Sequence, residues 1–317
     1  MINTVVRSTR RVAASVRLLE FASVDGGPLP AFAAGDHIDV LPAPGLTRSY
    51  SLLGVPGPNP SSYQIAVALD PASRGGSRAL HESVHVGSRL VISEPVSDFP
   101  LTETAPHSVL IAGGIGITPL LSMARRLTRL DASWEVHYAA RSRHTAAFLP
   151  ELSALADSGA GHLRTYLADE DGPRTLKITS LVADTPGAAH LYCCGPASML
   201  ADFEEATQGI EPERVHLERF RGSPPTASGR GFTVELARSA KTLRIAPDET
   251  ILDAVLDAGV DVDFSCMEGI CGSCRTPVLS GEPEHHDTVL TPQERAAADT
   301  MMICCSGAKG THLVLDL

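Results

Sequence analysis

Ser265-Cys266-Met267-Glu268-Gly269-Ile270-Cys271-Gly272-Ser273-Cys274 sets three cysteines at C-x4-C-x2-C spacing, and Cys304 follows after 29 further residues. Two tetrahedral irons need four thiolates, and a short loop wraps only part of a two-iron cluster, so the fourth ligand arrives from a distance. Gly269 and Gly272 keep the backbone close, so that its N–H groups can point at anionic sulfurs. A zinc site would show two C-x2-C pairs or Cys/His pairs, whereas this is an uneven triplet with a distant single. A disulfide framework needs an oxidising compartment, and Met1 to Arg11 contain no apolar signal core. The stretch therefore reads as a [2Fe–2S] ligand set, which passes one electron at a time. In Ile303-Cys304-Cys305-Ser306 spacing alone leaves open which cysteine is the fourth ligand.

The chain of 317 residues exceeds what one hydrophobic core usually organises, so two or three domains are expected. Its 43% hydrophobic and 20% charged content fits a globular protein, and no run of 18 apolar residues predicts a membrane span. Seven cysteines, four of them assigned to a cluster, lead to the expectation of a reducing cytoplasm. The net charge of −11 argues against nucleic acid as a partner. From Phe232 onward there are 14 Asp/Glu against 6 Lys/Arg, so most of the excess surrounds the cluster segment. Such a face can steer a basic redox partner or serve solubility alone.

Arg221 to Gly231 (RGSPPTASGRG) breaks the composition with Pro, Gly and Ser in a row and reads as a linker, taken as residues 222–231. After it, residues 232–317 open with a hairpin-like alternation over Phe232 to Ile245, a short helix over Thr250 to Ala258, and the cluster loop. Residues 1–103 carry short β-like runs broken by Gly and Pro, such as Gly35 to Val40 and Tyr63 to Leu69, which predict a small antiparallel barrel. Residues 104–221 alternate apolar strands (Ser108 to Gly114, Trp134 to Ala140, Ala189 to Cys194) with helices such as Pro119 to Leu130. That alternation predicts a parallel α/β sheet.

Gly113-Gly114-Ile115-Gly116-Ile117-Thr118-Pro119 lies between a buried strand and a helix, where glycines let the backbone approach a pyrophosphate. It is not a G-x-G-x-x-G fingerprint. Tyr192-Cys193-Cys194-Gly195-Pro196 is a second strand-to-helix junction, and Arg48-Ser49-Tyr50-Ser51 lies in the predicted barrel. Together these three motifs resemble the ferredoxin–NADP reductase superfamily. With a barrel, a nucleotide domain and a C-terminal β-grasp ferredoxin in that order, the whole chain resembles the phthalate dioxygenase reductase family.

The resemblance implies roles. Arg48 would bind flavin phosphate, Tyr50 would lie against the isoalloxazine, and Ser51 would sit near its N5, with Ser49 in the same strand. Arg74-Gly75-Gly76-Ser77 would hold the phosphate of FMN, the flavin the family uses. Gly113, Gly114, Gly116, Thr118 and Pro119 would meet the pyridine nucleotide, while Cys194, Gly195 and Pro196 would meet its nicotinamide. Phe220 corresponds to an aromatic residue near the flavin, and Cys304 rather than Cys305 corresponds to the fourth iron ligand. The family mostly uses NADH. Arg141-Ser142-Arg143-His144, with no carboxylate nearby in sequence, departs from an NADH signature and keeps NADPH open.

His81-Glu82-Ser83-Val84-His85 satisfies H-E-x-x-H, but the segment is short, ends at Gly87, and has no evident third ligand. It is expected to be a helix closing the barrel. A nicotinamide delivers two electrons as hydride and a cluster accepts one, so a flavin between them must store a pair and release it singly. Ser51 and Cys194 are expected to flank the hydride step. The expected activity is that of an NAD(P)H-dependent oxygenase reductase component whose acceptor is a Rieske-type aromatic oxygenase or O-demethylase, or a bacterial cytochrome P450. Two alternatives remain: a diaphorase or ferric reductase with a small acceptor, and a non-enzymatic redox sensor.

Overall fold

The computed structural model describes residues 1–43, 46–70, 75–159, 161–170, 176–220, 231–246, 249–264, 269 and 272–317. The chain divides into two compact units, Met1–Arg219 and Phe220–Leu317. The proposed linker at 222–231 lies, apart from Gly231, outside the described residues. Among the described residues no helix is long and apolar enough to cross a membrane.

The first unit begins with β1 (Ile2–Ala13), β2 (Val16–Ser23), β3 (His37–Ala43), β4 (Leu46–Ser51), β5 (Tyr63–Ala68), helix α1 (Gly76–Glu82) and β6 (Arg89–Ile92). The strands form an antiparallel barrel sheet in the order β4-β3-β6-β1-β2-β5. Alternation along the strands sends Leu19, Phe21, Ile38, Val40, Ile65 and Val67 inward, and Leu80 of α1 joins that core. The helix ends at Glu82, so His85 lies beyond it and cannot share a helical face with His81. His81 Nε2 instead lies 2.8 Å from the Val67 carbonyl oxygen. The H-E-x-x-H match therefore belongs to a barrel-closing helix.

The second half of this unit runs β7 (Ser108–Gly113), α2 (Ile117–Arg129), β8 (Trp134–Ala140), α3 (Leu149–Asp157), β9 (Gly161–Leu167), α4 (Ile178–Asp184), β10 (His190–Cys194), α5 (Ala197–Ala206) and β11 (Val215–Glu218). All neighbours are parallel, in the order β11-β10-β7-β8-β9. Strand β7 is buried along its whole length, which is why it reads as a continuous apolar run. Helix α2 starts earlier than the proline suggests, after a single 3-10 turn over Gly114–Gly116. Pro119 is tolerated at its third position because first-turn N–H groups have no intrahelical acceptor.

The second unit contains β12 (Phe232–Leu236), β13 (Lys241–Ile245), α6 (Ile251–Asp257), β14 (Arg275–Ser280), β15 (Pro283–Glu284), α7 (Pro292–Ala297), β16 (Thr300–Met302), β17 (Gly307–Ala308) and β18 (His312–Leu315). Five strands form a mixed sheet, β13-β12-β18-β14-β16, with the first and last strands of the unit paired in parallel. The Thr250 side chain accepts the Asp253 N–H and caps α6, which packs Ile251, Leu252 and Val255 into the core. This is the β-grasp arrangement expected for the cluster segment.

Candidate functional site

In the parallel sheet the chain proceeds from β7 outward through β8 and β9, then returns to place β10 and β11 on the other side of β7. The carboxyl ends of β7 and β10 thus flank a topological switch point, where open α/β sheets bind their ligands. Both glycine motifs end there. Gly114 has φ +57° with open space beside it, a conformation that suits glycine. A Cβ on Gly116 would strike the Cys194 carbonyl oxygen, and one on Gly113 would lie 2.5 Å from Pro196 Cδ. The two turns are therefore packed on each other, and each glycine marks a close approach.

The barrel reaches the same place. Thr118 Oγ1 donates to Ile115 O at 3.1 Å and to Ser51 Oγ at 3.5 Å, with both Ser51 and Thr118 buried. Further along α2, Ser122 Oγ donates to Gly54 O at 3.3 Å, and Arg125 donates to the Leu53 carbonyl. The start of α2 consequently brings Ser51 and the Gly116–Cys194 contact to one region of the first unit.

Cys194 is fully shielded, and register pairs it with Glu218 on β11. Burial, followed by the charge of Glu218, pushes its thiol well above the ordinary range. Glu218 is pushed up to about 8, mainly by burial and next by Asp98, while its hydrogen bond with Cys194 acts the other way. Its Oε2 has no hydrogen-bond partner among the described residues. At neutral pH the region therefore holds a neutral thiol beside a largely protonated carboxyl. The sequence alone assigns Glu218 no role. The signal was its place at the end of the strand after the Cys194 strand, which becomes meaningful once strand order is known.

On the barrel, β4 pairs with β3 through Val40↔Arg48, Asp39↔Ser49, Ile38↔Tyr50 and His37↔Ser51. Ser49 Oγ donates to Asp39 Oδ1 at 2.6 Å, and Tyr50 packs against the barrel core. Arg48 crosses onto the start of α1: a Cβ on Gly76 would lie 2.6 Å from Arg48 Cγ and 3.1 Å from its Nε. The absent Cβ forms a cradle for the guanidinium beside Gly75 and Ser77, which fits a phosphate group. Ser77 Oγ also accepts the Asp70 N–H at 3.2 Å. Arg74 lies outside the described residues.

At the end of β8, Arg141 accepts the Asp169 N–H on its carbonyl at 2.9 Å, and Arg143 pairs with Glu170 at 3.0 Å. No carboxylate neighbours the basic run in sequence, and the one that pairs with it, Glu170, comes from the end of the next strand. Asp169 and Glu170 follow β9, the parallel neighbour of β8, and reach the run across the sheet.

In the second unit Cys274 and Cys304 are both buried, while Cys266 and Cys271 lie outside the described residues. The two cysteine arms are joined by the Ile303 N–H to Cys274 O bond at 3.4 Å and by Arg275↔Met302 pairing. The donor set, with Gly269 and Gly272 at φ +72° and +80°, fits a [2Fe–2S] cluster. Cys305 Sγ instead lies 3.8 Å from Met302 O and from Ser306 Oγ. Phe220 is the first residue of this unit.

Comparison with known proteins agrees with this geometry. Residues 234–309 match the 2Fe-2S iron-sulfur cluster binding domain, and residues 110–205 match the oxidoreductase NAD-binding domain. The chain is 50% identical to phenoxybenzoate dioxygenase subunit beta of Ectopseudomonas oleovorans, over 91% of this chain and 89% of that one. It is 43% identical to tetrachlorobenzoquinone reductase of Sphingobium chlorophenolicum, over 100% and 98%. The solved structure of phthalate dioxygenase reductase, described as modular for electron transfer from pyridine nucleotides to [2Fe–2S], superposes with a TM-score of 0.83 at 34% identity, covering 100% of this chain and 98% of that one. The chain belongs to the phthalate dioxygenase reductase family and is an NAD(P)H-dependent flavin iron–sulfur oxidoreductase.

Proposed function

We propose that this chain is the reductase component of an oxygenase system, taking hydride from NADH at FMN and delivering single electrons through its cluster to a separate oxygenase. The observation that carries the hydride end is the meeting of Ser51, Thr118, Gly116 and Cys194 at the switch point. When bound, a flavin accepts an electron pair from a nicotinamide and passes electrons singly to an iron–sulfur centre.

The chain's own part is positional and electrostatic. Arg48, with Arg74, Gly75, Gly76 and Ser77, would hold the FMN phosphate, Ser49 would brace its strand through Asp39, and Tyr50 would cover the ring. Gly113, Gly114, Gly116, Thr118 and Pro119 would cradle the nucleotide phosphates, while Gly195 and Pro196 keep the opposing turn close. Ser51 would hydrogen-bond near the flavin's reactive edge. Cys194 and Glu218 would lie as neutral groups behind the nicotinamide position, with a proton held on the Glu218 carboxyl. Arg141 would face the adenosine end, and the Glu170 partner of Arg143 favours NADH over its 2′-phosphorylated analogue. Cys266, Cys271, Cys274 and Cys304 would hold the cluster.

The acceptor class follows the oxygenase relative, and the acidic second unit fits a basic docking face. The quinone reductase relative supports a second reading, a small-molecule acceptor. Electron transfer to a protein acceptor would slow steeply with added salt, whereas reduction of a neutral quinone would not. A cytoplasmic location suits thiols that must stay reduced. The direct test is steady-state reduction of a purified Rieske-type aromatic oxygenase under NADH. Turnover with small quinones but none with any such protein would refute the proposal.

A further inference from the structure

Asp287 is 3% exposed and lies between β15 and α7 in the second unit. Burying a carboxylate is costly unless its oxygens are hydrogen-bonded. Oδ2 accepts the N–H groups of Leu290 at 2.8 Å and Val289 at 3.1 Å. Oδ1 accepts from Ser306 Oγ at 3.5 Å and lies 3.7 Å from His285 Nδ1. Arg295 donates to the Asp287 carbonyl at 2.5 Å, and its Nη2 lies 3.8 Å from Oδ2.

One of these connections and one bond of the next residue reach the cysteine arms. The residue after Asp287, Thr288, donates its N–H to Gly269 O at 2.9 Å, within the loop that carries Cys266, Cys271 and Cys274. Gly269 approaches so closely that a Cβ there would strike Cys305 Sγ and lie 3.1 Å from Asp287 Cα. On the other side, Ser306 stands two residues past Cys304, and its hydroxyl both accepts the His286 N–H at 3.2 Å and donates to Asp287. A carboxylate needed only to cap its own turn would be satisfied by Val289 and Leu290. The further bond from Ser306 goes beyond that need, and the turn the carboxylate holds is the one that presents the Thr288 N–H to Gly269.

We propose that Asp287 is a positioning residue for the iron–sulfur ligands, tying the loop of Cys266, Cys271 and Cys274 to the arm of Cys304 without touching the cluster. Partners one shell away from a metal orient its ligands, and their loss typically weakens the site about 10- to 100-fold. This inference rests on the cluster assignment, so iron and acid-labile sulfide in the unsubstituted protein are measured first. Their absence there refutes the assignment rather than the tie.

With the full-length holoprotein prepared anaerobically, Asp287→Ala, Asp287→Asn and Ser306→Ala are compared by iron release to a chelator and by the EPR signal of the dithionite-reduced cluster. Asp287→Ala is expected to release iron about tenfold faster or more and to change the g-tensor. Asp287→Asn keeps an acceptor oxygen and restores most of the loss, and Ser306→Ala produces a smaller change in the same direction. Parent-like release and parent-like EPR in both Asp287→Ala and Ser306→Ala would overturn the proposal, even if Asp287→Ala lowered thermal stability. Should Asp287→Ala fail to fold, Ser306→Ala alone decides by the same two readings.

Discussion

Two Cys-Cys pairs lie buried in this chain, one in each unit, and their surroundings differ. Cys193-Cys194 ends a parallel strand, and burial pushes Cys193 up to about 12 and Cys194 well above its ordinary range, so both stay protonated. Beside Cys194 stands a carboxyl, which further disfavours a thiolate. Cys304-Cys305 follows a short antiparallel strand beside a glycine-bearing loop with three more cysteines, where iron would select the thiolate form. Depth in the core is common to the two. What separates them is the neighbouring charge and the number of sulfur partners, so a buried cysteine is neither inert nor a ligand by virtue of burial alone.

The largest expected effect breaks the cluster side of this comparison. Cys274→Ser should abolish cytochrome c reduction while leaving anaerobic flavin reduction by NADH intact. Undiminished cytochrome c turnover would show that electrons leave by another route. Within the pair itself, Cys304→Ser should lose the reduced-cluster EPR signal and Cys305→Ser should keep it.

On the hydride side, Gly116→Ala drives a methyl group into the Cys194 carbonyl. Overpacking of this kind costs about 1–3 kcal/mol, so thermal unfolding should come earlier and KM for NADH should rise. Cluster EPR should be unchanged, and an unaltered KM would contradict the placement of the nucleotide. Arg48→Ala removes a charged donor from the predicted phosphate cradle. A charge-assisted hydrogen bond of about 1.5–3 kcal/mol corresponds to FMN held roughly tenfold more weakly or worse, measured by flavin fluorescence on dilution.

A pH dependence is expected as well. Glu218 rises from 4.5 to about 8 on folding, so the folded state retains a proton that the unfolded chain releases. The associated stability is complete below pH 4.5 and is lost as pH rises through about 8. Glu218→Gln should flatten that decline in denaturant titrations between pH 5 and 8. Parallel curves for the two proteins would show that Glu218 is ionised in the fold.

Much of this was legible because the signals are local. The cysteine spacing, the Phe232–Ile245 hairpin and the Trp134–Ala140 strand each announce themselves within a dozen residues. What escaped depends on strand order. Glu218 meets Cys194, and Glu170 meets Arg143, across neighbouring strands whose adjacency the sequence does not encode locally. Ser51 and Thr118 are 67 residues apart and touch because α2 packs on the barrel. A third case lies around Asp287, where Thr288 reaches Gly269 and Ser306 reaches Asp287 between segments well apart in the chain.

The central claim is that one chain joins a two-electron hydride end to a one-electron cluster end. Anaerobic NADH titration of the purified holoprotein, followed by absorbance and EPR with the released flavin identified, tests it most directly. The account predicts uptake of three electrons per chain, two on FMN and one on a [2Fe–2S] cluster with a rhombic reduced signal. Flavin bleaching that stops at two electrons, with no such signal in iron-loaded protein, would contradict it.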